Sequence, residues 1–115
     1  MEVSFKSQKL ARVFNSDREL KRAYGQRQAD LIRECLDDLE AVECLADMWA
    51  LPQHRHRCHQ LAENLRGVFS LDLEHPYRLL FVPANVPVPR LDDDGIDLAR
   101  VTAVEVRGVE NTHGK

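Results

Sequence analysis

The fold is decided by Gly67-Val68-Phe69-Ser70-Leu71-Asp72-Leu73-Glu74-His75-Pro76-Tyr77-Arg78-Leu79-Leu80-Phe81-Val82. From Gly67 onward apolar side chains recur at every second residue. Phe69, Leu71 and Leu73 alternate with Val68, Ser70 and Asp72, and Tyr77, Leu79 and Phe81 alternate with Arg78, Leu80 and Val82. A period of two belongs to a strand with one buried face, and His75-Pro76 supplies a turn, so the stretch reads as a β-hairpin. Phe69, Leu71, Leu73, Tyr77, Leu79 and Phe81 are its expected core side. Ser70 and Arg78 are expected on the other side.

Upstream the period changes to three and four. Leu10, Val13 and Phe14 predict a short helix over about residues 9–14. Asn15-Ser16-Asp17 interrupts it, and Ser16 followed by Glu19 is a capping-box pattern that starts another helix. Leu20, Tyr24, Leu31, Cys35, Leu39, Val42 and Leu45 mark its apolar face, Gly25 a kink or restart, and Pro52 the end of the helical stretch. Before these, Val3 and Phe5 alternate with polar neighbours as a short strand. Downstream, residues 83–97 carry three prolines and Asp92-Asp93-Asp94-Gly95, a long surface excursion. A last strand is expected over about residues 99–109. The order β-α-α-β-β-β in one domain, residues 1–115, predicts an α+β fold: an antiparallel sheet with two helices packed on one face.

A length of 115 residues with 43% hydrophobic and 30% charged residues fits one globular domain. The formal net charge of −3 argues against a generic polyanion binder. Acidity is concentrated: residues 34–50 hold six acidic and no basic side chains, whereas residues 1–33 hold eight basic and four acidic. A solvated acidic helix face is the ordinary reading of such a run. A basic face with an acidic back is the sharper one. No apolar run approaches the roughly 18–20 residues that span a bilayer, and no signal peptide is read at the start. Three cysteines, Cys35, Cys44 and Cys58, are read as reduced thiols of a cytoplasmic protein.

Arg78 stands among apolar neighbours on a strand, where a rigidly held guanidinium can grip a phosphate with two hydrogen bonds. The alternative is an ion pair with Asp72 or Glu74 across the hairpin. The run His54-Arg55-His56-Arg57-Cys58-His59 has zinc-type side chains but no second ligand pair apart from the distant His113, so no metal and no cofactor is expected. Its interleaved arginines favour an anion-facing loop. His59 is placed for proton transfer near neutral pH.

Four short motifs stand in order along the chain: His59-Gln60-Leu61, Gly67-Val68-Phe69-Ser70, Tyr77-Arg78-Leu79-Leu80-Phe81 and Asn111-Thr112-His113. In this layout the sequence resembles the RelE/ParE superfamily of type II toxin–antitoxin toxins, in particular its HigB-like killer-protein branch. The resemblance implies a RelE-like fold and a ribosome-dependent mRNA endoribonuclease (an mRNA interferase) that inhibits translation in the cytoplasm. The implied partners are a cognate HigA-like, DNA-binding antitoxin, the ribosome and mRNA, with no membrane. It also implies roles for single residues: Arg78 on the pentacovalent phosphate, His59 and His113 as acid and base, and Arg66, Arg57 and Asn111 in substrate binding. The chain departs from the family pattern at Ala62-Glu63, where Lys-Gly is usual, and at Asn111-Thr112, where Asp-Tyr is usual. These departures leave two alternatives: a ParE-like DNA gyrase inhibitor, or a catalytically degenerate member that only binds protein.

Overall fold

The hairpin sits at the middle of the sheet. The computed structural model describes residues 1–61 and 67–111. Within them, β3 (Phe69–Asp72) and β4 (Tyr77–Pro83) pair antiparallel, with Phe69 opposite Phe81, Leu71 opposite Leu79 and Asp72 opposite Arg78. The short β2 (His59–Gln60) joins the free edge of β3, and β5 (Ala103–Asn111) joins that of β4. β1 (Glu2–Phe5) lies outside β5, giving the order β1-β5-β4-β3-β2. The expected antiparallel sheet is corrected here, because β1 runs parallel to β5. Nearly the whole chain separates these two strands, and a parallel pair requires such a long connection. The architecture is α+β with an open, mixed sheet.

The helical region also differs from its reading. α1 (Gln8–Phe14) ends as expected, and the Ser16 side chain caps the next helix by accepting a hydrogen bond from the Glu19 amide at 3.1 Å. The second predicted helix is then divided into α2 (Asp17–Tyr24) and α3 (Gln26–Ala41). Gly25 between them has φ 83° and ψ 164°, a conformation essentially reserved for glycine. α3 stops well before Pro52. The Asp47 carboxylate accepts from the amides of Glu43 and Cys44, and these local bonds replace a helical continuation with a 3₁₀ turn over Leu45–Ala50. Three α-helices, rather than two, are therefore present among the described residues.

Phe14, Leu20, Ile32, Cys35 and Leu39 from the helices meet Phe69, Leu71, Leu79, Phe81, Val104 and Val106 from the sheet, all fully buried. Phe69 stacks on Phe81 at 5.7 Å and receives the edge of Trp49 at 6.2 Å. Each aromatic pair of this kind adds about 0.5–1.5 kcal/mol to the burial itself. Tyr77 departs from the expected core set. It stands at the end of β4, opposite Asn111, and is 44% exposed.

The second face of the sheet is closed at its centre, where Ser70 and Leu80 are buried, and accessible toward Asp72, Arg78 and Glu110 at one end and toward Ser4 and Glu105 at the other. The excursion after β4 is tied at its root by Asn85, whose carbonyl oxygen accepts from the amides of Thr102 and Ala103. It closes on itself through a bridge between Arg90 and Ile96. A 3₁₀ turn over Leu98–Arg100 delays the last strand to Ala103. Among the described residues no helix is long and apolar enough to cross a membrane.

Candidate functional site

The second face of the sheet gathers chemistry at its hairpin end through strand register alone. Antiparallel partners project to the same side, so His59 stands beside Ser70, Asp72 beside Arg78, and Arg78 beside Glu110. His59 is half-buried. Its Nδ1–H donates to the Arg57 carbonyl at 2.9 Å, which leaves Nε2 as the basic nitrogen, 3.4 Å from the Ser70 hydroxyl. Ser70 has no exposed surface, so it serves as a support for the imidazole and cannot itself meet a large substrate.

Asp72 lies between two arginines. Arg57 Nε is 3.4 Å from one carboxylate oxygen and Arg78 Nε is 3.4 Å from the other. The ion pair that the sequence allows across the hairpin is therefore formed with Asp72. The Arg78 side chain is only 18% exposed and that of Arg57 is 75% exposed. Together with His75 and Tyr77 they line a cleft of about 190 Å³. The two guanidinium groups supply donors suited to a phosphodiester, whereas Tyr77, which precedes Arg78 along β4, also lines a groove on the helix side with Tyr24 and Val109.

The loop that carries Arg57 and leads into β2 is held in an unusual backbone shape. Gln53, His54, His56 and Arg57 all have positive φ, between 48° and 72°, without a glycine among them. Such residues persist only where their surroundings enforce them, and they concentrate at functional sites. Here the enforcement is visible. The Asp72 amide donates to the His56 carbonyl at 2.7 Å, and His54 Nε2 donates to the Cys58 carbonyl at 3.3 Å. On the other side, His56 Nε2 donates to Asp38 Oδ2 at 2.6 Å, and Arg55 donates to both Asp38 oxygens at 3.0 and 3.3 Å. The remaining His56 nitrogen faces the Cys35 sulfur at 3.4 Å.

Burial pushes the Asp38 carboxyl up, but the hydrogen bonds from Arg55 and His56 outweigh it and hold the group below its ordinary value. Burial, reinforced by Glu34 and Asp38, pushes the Cys35 thiol far up; burial alone pushes the Cys58 thiol up to about 12. The Cys35–His56–Asp38 arrangement thus has the order of a nucleophilic triad but a thiol that stays protonated. Its contacts tie the loop to α3.

Of the residues expected at the site, the structure brings His59, Arg57 and Arg78 to one end of one sheet face. Asn111 ends β5, opposite Tyr77. Arg66 and His113 lie outside the described residues. Among the described residues no His, Cys, Asp or Glu group is arranged to hold a metal ion. His54, His56 and His59 each face different partners. The sequence reading missed Asp38 and its grip on the loop. Cys35 and Asp38 stand three residues apart on α3, a spacing that places both on one helix face, and this was the available signal. No family model, no curated protein and no solved structure matches the chain.

Proposed function

We propose that this chain is a RelE/ParE-like toxin of the HigB-like branch, acting as an mRNA endoribonuclease in a type II toxin–antitoxin pair. The observation that carries this reading is that Arg57 and Arg78 line one cleft at the hairpin end of the sheet, while His59 stands on the same face one row away, beside Ser70. β2 and β4 flank β3, so His59 and Arg78 stand two strand spacings apart and two residues out of register, with their backbones about 12 Å from each other. That span suits one backbone phosphate with its neighbouring ribose.

In the proposed reaction the 2′-hydroxyl oxygen attacks the adjacent phosphorus, and the bond from phosphorus to the 5′ oxygen breaks. The products are a 2′,3′-cyclic phosphate and a 5′-hydroxyl. His59 Nε2 takes the 2′-hydroxyl proton, its tautomer being set by the Arg57 carbonyl. Arg78 and Arg57 stabilise the charge that builds on the non-bridging oxygens. By the family resemblance His113 gives the proton to the leaving 5′ oxygen, with Arg66 and Asn111 contacting the substrate. The mRNA is presented by the ribosome, and a HigA-like antitoxin restrains the toxin.

The test is induced expression in a bacterial host of the native chain beside Arg78→Ala, with mRNA 5′ ends mapped. The native chain is expected to arrest growth and produce new ends inside translated frames. Arg78→Ala is expected to lose both, because removing one donor to a developing charge costs about 10²–10³ in rate. Growth arrest with intact transcripts and DNA damage would support gyrase inhibition instead. A folded chain that causes no arrest would support a binding domain.

A further inference from the structure

The arginine pair that reads as the phosphate grip already holds an anion of the protein itself. We infer that Asp72 is an internal counter-ion for this cleft, occupying the charges of Arg57 and Arg78 that an incoming phosphodiester would use and thereby lowering its affinity. The inference rests on the proposed reading of the cleft as a nucleic-acid phosphate site and adds a restraint built into it.

Three observations support it. Each Asp72 oxygen faces one guanidinium, at 3.4 Å in both cases, so a single carboxylate spans the pair much as a phosphate with two free oxygens would. The contacts are ion pairs and not short hydrogen bonds, and among the described residues the buried Oδ1 accepts no hydrogen bond. The carboxylate is thus held by charge, which a competing anion can replace. Lastly, the exposed Glu110 is the register partner of Arg78 on β5. With Asp72 inside the cleft and Glu110 beside Arg78 on the neighbouring strand, the charges of the two arginines are largely offset, so they do not by themselves make a strong attractor of polyanions.

Asp72 holds the arginines as well as masking them. Without any anion, Arg57 extends from the loop into solvent, where its side chain is already 75% exposed. A neutral isostere separates the two effects. Asp72→Asn keeps the size and one accepting oxygen while deleting the charge. If masking dominates, binding tightens; if holding dominates, binding weakens.

The experiment measures binding of a short 5′-labelled single-stranded RNA to the full chain by fluorescence anisotropy over a series of salt concentrations. Native protein, Asp72→Asn, Asp72→Ser and Arg78→Ala are compared. One unit charge a few ångströms from the phosphate predicts about tenfold tighter binding by Asp72→Asn, with a steeper salt dependence. Asp72→Ser reads the same charge deletion should the asparagine variant fail to fold. Tighter binding in either variant, with weaker binding in Arg78→Ala, supports the counter-ion role. Unchanged or weaker binding in both Asp72 variants, with weaker binding in Arg78→Ala, overturns that role and leaves the phosphate-grip reading standing. Unaltered binding in Arg78→Ala, or no binding by any of the four proteins, overturns the reading itself and the inference with it.

Discussion

A thiol reacts as its thiolate, and two of the three thiols here are held protonated by burial. Cys35 lies inside the core against His56, and Cys58 is buried with its proton retained up to about pH 12. Cys44 is different: it is partly exposed at the start of the 3₁₀ turn, where its backbone carbonyl accepts the Asp47 amide at 3.1 Å. A brief pulse of iodoacetamide on the native protein should therefore alkylate Cys44 first, and peptide mass spectrometry would locate the label. Cys35 and Cys58 should remain unlabelled until denaturant is added. Early labelling of Cys35 would show that the α3–loop contact opens readily, against the closed packing described above. The same contrast separates the cysteines from His59, whose basic nitrogen is left toward the sheet face by a single backbone hydrogen bond. The surroundings thus differ more than the residue types, since the His–Cys–Asp set is closed around a buried thiol whereas His59 is half-buried at the sheet edge.

Gly25 shows how one position divides an element. An added Cβ there would meet nothing within 4 Å, so a substitution is penalised only through the backbone angle. Gly25→Ala should destabilise the protein by about 1–3 kcal/mol with little change in the slope of a urea unfolding curve. A neutral effect would mean that α2 and α3 can merge into one continuous helix. The kink was legible in the sequence because glycine interrupts an otherwise regular apolar stripe. The hairpin was legible for a similar reason: Phe69, Leu71, Leu79 and Phe81 alternate cleanly and all are buried. The parallel placement of β1 was not legible, because Val3 and Phe5 give only a period and carry no direction of pairing. The end of α3 at Ala41 was hidden as well, since Val42 and Leu45 continue the apolar spacing while the hydrogen bonds of Asp47 decide against a helix. At the site, Arg78 could be singled out from its apolar neighbours. The partnership of Asp38 with Arg55 and His56 could not, since it depends on how a strained loop returns to a helix that precedes it by about 17 residues.

For the molecule as a whole, that loop is the bridge between its two layers. Arg55 and His56 fasten it to Asp38 on α3, and the His56 carbonyl receives the Asp72 amide from β3, so one short segment ties the helices to the strand that carries the cleft. The coupling makes stability depend on pH in a defined direction. Asp38 has a carboxyl pKa in the folded protein below its ordinary value of 3.8. Its stabilising contribution is fully present above about pH 4 and is lost as the pH falls through the lower folded value, because the unfolded chain binds the proton first. Asp38→Asn removes the charge and keeps the shape. At neutral pH it should cost about 1.5–3 kcal/mol, the range for hydrogen bonds to charged groups. Urea unfolding measured from about pH 6 down to about pH 2 should show the difference between native protein and Asp38→Asn shrinking at the acid end. A difference that stays constant over that range would show that Asp38 acts through packing and not through charge. If the charge does fasten the loop, the same substitution should also loosen Arg57 and the carbonyl that orients His59, so the proposed RNA cleavage should fall in Asp38→Asn although no atom of Asp38 touches the cleft.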